Sequence, residues 1–285
     1  MKIIDTESAE SIVNSLCDVF NISMVELQNL YITDKPFEFL TNDFEDISLS
    51  SFYALLESVE NRDDLKKYTD DLYITSFHLS KRTKPIEVNE KLLNLHSALL
   101  NETDLKHFFE KNDITFLKEG SKLKCLYKGQ VLDWKKFHRT KHENVARLIE
   151  SRLEGNKFFN SDNCINGFLF SHNIVNQHNV EHLSVSPEIV QNILKILGLE
   201  EVIQQFDTEY RYIIKYRVKF NDFIFDSMAN ITIEEKMEKL LKMLLQYLAN
   251  SLTNQETTLW NPMVRATDDL DVEPSDVCKF ELVSM

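Results

Sequence analysis

Tyr210-Arg211-Tyr212-Ile213-Ile214-Lys215-Tyr216-Arg217-Val218-Lys219-Phe220 is the stretch that decides the fold. Aromatic and aliphatic side chains fall at 210, 212, 214, 216, 218 and 220, and mostly cations fall between them. A period of two predicts a β-strand over 209–220 with one face in a core and the basic face solvated. The same alternation suits a base-stacking platform, but any half-buried strand shows it, so the core reading is preferred. A long helix follows. Thr232 and Glu235 have capping-box spacing, and Met237, Leu240, Leu241, Leu244, Leu245 and Leu248 form its apolar stripe.

Working outward, residues 1–70 read as helical. Ile12, Val13, Leu16, Val19 and Phe20 share a helical face, Ser23 and Glu26 open a second helix, and Phe52, Leu55, Leu56 and Val59 mark a third. The pattern changes at Leu72-Tyr73-Ile74-Thr75-Ser76-Phe77, a short β-rich run. Val88, Leu92, Leu95 and Leu99 predict a helix, and Leu105, Phe108 and Phe109 a shorter one. Ile114 to Leu117 and Leu123 to Tyr127 flank Gly120 as a hairpin. Val145 to Leu153 looks helical, and Ile165 to Phe170 reads as a buried strand. Ser186-Pro187-Glu188 predicts a helix with Ser186 as cap, ending at Gly198. Strands scattered among helices of uneven length predict an α+β fold: a helical N-terminal part, 1–70, followed by a mixed domain, 71–285, with a mainly antiparallel sheet.

Composition narrows the function. The chain has 285 residues, 43% apolar, enough for a sizeable core. Five scattered glycines exclude a Walker loop and a Gly-x-Gly-x-x-Gly turn. Four distant cysteines exclude a Cys-x-x-Cys zinc or redox motif. The net charge of −14 is uneven: residues 1–70 hold 15 acidic and 5 basic side chains, whereas 122–152 hold nine Lys/Arg and three acids. The expectations are weak nucleic-acid binding, no membrane span and a cytoplasmic location, with a protein partner open. Trp134-Lys135-Lys136-Phe137-His138-Arg139 suits a phosphate contact, but docking against the acidic N-terminal part, in the same chain or a second subunit, is preferred.

The run ending in His78-Leu79-Ser80-Lys81-Arg82 resembles the opening of ADP-ribosyltransferase-like folds, where a strand closes on His-Gly-Ser or His-Gly-Thr. Leu79 stands where that family has glycine. The resemblance spans about residues 72–285 and extends loosely to Asn166-Gly167-Phe168-Leu169-Phe170 and to Asp271-Val272-Glu273-Pro274. It implies NAD as cofactor, His78 on a ribose hydroxyl, Ser80 beside it, and Phe168 or Phe170 stacked on nicotinamide. Arg82 is a candidate for the pyrophosphate. The catalytic glutamate is not placed by motif, and Glu256 is the candidate. A bacterial toxin or phage-defence effector is the implied class. A structural His78 and a non-catalytic interaction or sensor protein are the rival reading.

His178-Asn179-Val180-Glu181-His182 matches His-x-x-Glu-His, which on a helix would set two imidazoles on one zinc, with His172 as a further ligand. Its Asn-rich surroundings favour a loop, so a zinc hydrolase ranks third and no metal is expected.

Overall fold

The computed structural model describes residues 1–34, 39–40, 43–57, 59–87, 89–155, 163–176, 186–206, 210–226, 231–255 and 259–283. The fold is α+β with a mainly antiparallel sheet. The strands are β1 (Lys2–Ile4), β2 (Leu72–Arg82), β3 (Ile114–Glu119), β4 (Lys122–Tyr127), β5 (Gln130–Val131), β6 (Asn166–Phe168), β7 (Tyr210–Lys219), β8 (Phe223–Phe225), β9 (Met263–Ala266) and β10 (Val277–Leu282). The α-helices are α1 (Ala9–Phe20), α2 (Met24–Asn29), α3 (Ser50–Tyr53), α4 (Leu95–Leu100), α5 (Asp104–Lys111), α6 (Glu143–Glu154), α7 (Glu188–Leu197) and α8 (Ile233–Ser251). One sheet has the order β10-β7-β2-β6-β9-β8, with β1 also on β2; the other is β3-β4-β5.

The chain forms two compact units, and the seam is not the one expected at 70/71. The first comprises residues 1–77, 166–174 and 215–266; the second comprises 78–165, 175–214 and 267–285. Residues 1–70 do not stand alone because β1 pairs in parallel with β2, Lys2 opposite Leu72 and Ile4 opposite Ile74. A three-residue strand carries no periodicity, so only its distant partner reveals it.

In the first unit β2, β6, β9 and β8 pair antiparallel in turn. Gly167 sits where a Cβ would come within 2.8 Å of the Phe77 carbonyl oxygen and 3.0 Å of the Tyr216 hydroxyl. Helix α8 starts on the capping box of Thr232 and Glu235 and buries Met237, Leu240, Leu241, Leu244, Leu245 and Leu248, as its stripe requires. Lys236, also buried on this helix, donates to the carbonyl oxygens of Phe220 at 2.7 Å, Phe223 at 2.8 Å and Asn221 at 3.3 Å. It thereby ties the turn between β7 and β8 to α8. Burial pushes its pKa down to about 8, with Asp222 pulling the other way. The unfolded chain therefore holds the extra proton between about pH 8 and 10.5, and stability rises across that window. Lys236→Met should cost about 2 kcal/mol by stranding carbonyl acceptors. In urea titrations the wild type's advantage over this variant should widen from pH 8 to 10.5.

In the second unit the sheet β3-β4-β5 buries Ile114, Leu123 and Cys125 against Ala146, Ile149 and Leu153 of α6 and Ile189, Val190, Ile193 and Leu194 of α7. Trp134 belongs to this core at 2% exposure, so its ring is not a free stacking surface. Two helix starts differ from expectation. Leu92 makes an isolated bridge to Val272, and the helix begins only after Asn94, whose side chain accepts from the Ser97 N–H. Helix α7 begins at Glu188 with extended Pro187 as its cap, and Ser186 does not cap it. Val88 lies outside the described residues.

Candidate functional site

The second unit begins with the last five residues of β2, His78 to Arg82. Alternate residues of a strand share a face, so His78, Ser80 and Arg82 form one row. All three are partly exposed, unlike Ile74, Thr75, Ser76 and Phe77 earlier in the strand. Arg82 ends the row in a defined arrangement. Its Nε donates to the Ser80 hydroxyl at 2.9 Å, and its Nη1 reaches Glu90 Oε1 at 2.5 Å. Glu90 was not singled out by the sequence. Eight residues separate it from Arg82, and no helical or strand period links the two.

The aromatic candidates belong to the first unit. Phe168 pairs with Phe77 across β2 and β6 and is 4% exposed. Phe170, 2% exposed, stacks on Tyr247 with ring centroids 4.4 Å apart. Fully buried Asn261 holds this segment: it accepts from the Phe170 N–H at 3.0 Å and donates to the Phe170 carbonyl at 2.8 Å. The five candidates for NAD are thus divided between the units, the polar row in one and the aromatic rings in the other. Glu256 and the segment His178 to His182 lie outside the described residues. His172 packs near Phe170 and Tyr247. Among the described residues no group of three His, Cys, Asp or Glu side chains is placed to hold a metal ion. No helix among them is long and apolar enough to cross a membrane.

One expectation about charge changes. Lys215, on the face of β7 expected to be solvated, is 8% exposed and bridges Asp5 and Glu7 at 2.7 Å each. Burial opposes its charge, but the hydrogen bonds to the two carboxylates outweigh it and raise its pKa. Only residues more than 200 positions away make this lysine's burial tolerable, which no local pattern announces. Within its own unit the basic segment 122–152 pairs Lys124 with Glu154, Arg147 with Glu143 and Arg152 with Glu188. Lys122, Lys128, Lys135, Lys136, Arg139 and Lys141 remain exposed.

Comparison with protein-family models, with curated proteins and with solved structures finds no match to this chain.

Proposed function

We propose that the chain binds NAD along the end of β2 and acts as an ADP-ribosyltransferase-like effector of the bacterial toxin or phage-defence type. The row of His78, Ser80 and Arg82 carries this reading: a ribose-directed imidazole, a hydroxyl and a guanidinium sit at alternate positions of one half-exposed strand end. The imidazole acts by hydrogen bonding to a ribose hydroxyl, and the guanidinium complements the pyrophosphate. Transfer or hydrolysis needs in addition a carboxylate to stabilise the positive ribose, the role assigned to Glu256.

NAD should raise the melting temperature, because a ligand bound only by the folded state stabilises it by mass action, about 2.7 kcal/mol at about 100 Kd. His78→Ala should abolish that shift while leaving the protein folded. A wild type indifferent to NAD, together with a destabilised His78→Ala, would make His78 structural and end the NAD reading.

A non-catalytic interaction protein is the second reading, favoured by the outer face of β3-β4-β5. Register pairs Leu117 with Lys124 and Leu126 with Val131, opposite in facing to the buried Leu123 and Cys125. Leu117 and Val131 are each 57% exposed there, beside exposed Lys122. Exposed apolar side chains flanked by an acid and a cation opposite each other across the strands, Glu119 and Lys122, suit a protein surface better than a phosphate backbone.

A further inference from the structure

The polar row on β2 ends in a contact that bears on its own occupancy. The guanidinium of Arg82 is engaged on two sides, by the Ser80 hydroxyl at Nε and by the Glu90 carboxylate at Nη1. The second carboxylate oxygen of Glu90 faces the Glu87 N–H at 3.4 Å. A carboxylate oxygen on a guanidinium stands where a phosphate oxygen would stand, since both anions use the same N–H donors at similar distances. The contact is also open to replacement. The Arg82 side chain is 21% exposed and that of Glu90 33%, so the ion pair is open to water and contributes little on its own.

We infer that Glu90 is an internal competitor for Arg82: its carboxylate occupies the phosphate position in the free chain and is displaced when a pyrophosphate-bearing ligand enters. This rests on the proposed reading of the row as a nucleotide site, and adds to it a residue that sets affinity without touching the ribose or the reacting atoms. The apparent affinity for pyrophosphate is lowered by the fraction of chains in which Glu90 holds Arg82. Like charge adds to the effect, because the freed carboxylate stays near the incoming anion.

The test is titration of the full chain with inorganic pyrophosphate at constant ionic strength, followed by calorimetry. Glu90→Gln keeps the size and a hydrogen-bonding side chain but loses the charge, and should tighten binding about tenfold. Glu90→Asp keeps the charge but shortens the reach to Arg82, and should tighten it less. Arg82→Ala should abolish binding in both the wild-type and the Glu90→Gln backgrounds. Melting curves without ligand establish that each variant is folded. Binding by Glu90→Gln no tighter than by the wild type, or binding that survives Arg82→Ala, overturns the inference. NAD stabilisation of the wild type with no gain in Glu90→Gln would leave the NAD reading standing and remove Glu90 from it. A tighter pyrophosphate site with no response to NAD would do the reverse.

Discussion

Gly167→Ala should cost about 3 kcal/mol or more, enough to move the urea midpoint strongly. The added methyl group would lie 2.8 Å from the Phe77 carbonyl oxygen and 3.3 Å from the Phe77 carbonyl carbon. Those are backbone atoms of the adjacent strand, held by the Phe77–Phe168 pairing, and cannot swing aside as a side-chain tip would. The Tyr216 hydroxyl closes the remaining space at 3.0 Å. Overpacking a core typically costs about 1–3 kcal/mol, and a clash with a paired strand lies at the upper end. Gly198→Ala is the control. That glycine ends α7 in the left-handed region, at φ 69°, with no atom near its would-be Cβ. Its cost is one of backbone conformation alone, about 1 kcal/mol. Equal midpoints for the two variants would show that the strand spacing at Gly167 can relax.

Lys215→Met should be the most damaging change of charge in the first unit, at roughly 2–3 kcal/mol near neutral pH. The ammonium is almost fully enclosed, and Asp5 and Glu7, each 33% exposed at the side chain, lose their shared counter-charge. Breaking a buried pair from one side costs about 3–5 kcal/mol, and the partial exposure of both carboxylates reduces that figure. The pH dependence has a definite sign. The pKa of Lys215 is raised above its ordinary 10.5, so the folded state holds the proton more tightly than the unfolded chain. Its contribution is complete below about 10.5 and is lost as the pH rises through the folded value. The difference between wild type and Lys215→Met should therefore be constant through neutral pH and shrink in strong alkali. A flat difference into that range would mean that the lysine contributes through packing of its chain alone.

Elements whose signals are local were legible in the sequence. The capping boxes at Ser23/Glu26 and Thr232/Glu235 are both formed, and the hairpin around Gly120 pairs Ile114 through Glu119 with Tyr127 through Lys122. Elements defined by a distant partner were not. β1 is too short to show alternation, β9 gains its identity from β6 and β8, and the enclosure of Lys215 depends on Asp5 and Glu7. At the candidate site His78, Ser80 and Arg82 were legible only through the family resemblance, and the structure extends β2 through them to Arg82. The engagement of Arg82 by Glu90 was not legible, because a turn joins them and turns obey no fixed spacing. The burial of Phe168 and Phe170 agrees with the reading of Ile165 to Phe170 as a buried strand, whereas their partners, Phe77 across the sheet and the Asn261 side chain, are long-range facts.

The interleaving of the two units also sets the order in which the molecule can be made. Both are assembled from three separated stretches, and the first draws its last stretch from residues 215–266, the second from 267–285. As the polypeptide leaves the ribosome, Lys2–Ile4 waits for Leu72, and β6 waits almost a hundred residues for Met263–Ala266. The first unit cannot close before Met263–Ala266 has been made, whereas the buried core of the second, from Leu99 to Phe206, lies wholly upstream of that stretch. Non-local pairing of this kind slows folding and leaves apolar strands uncovered in the interim. The first unit's strands therefore stay uncovered on the nascent polypeptide until Met263–Ala266 arrives, and its yield depends on their protection in that interval.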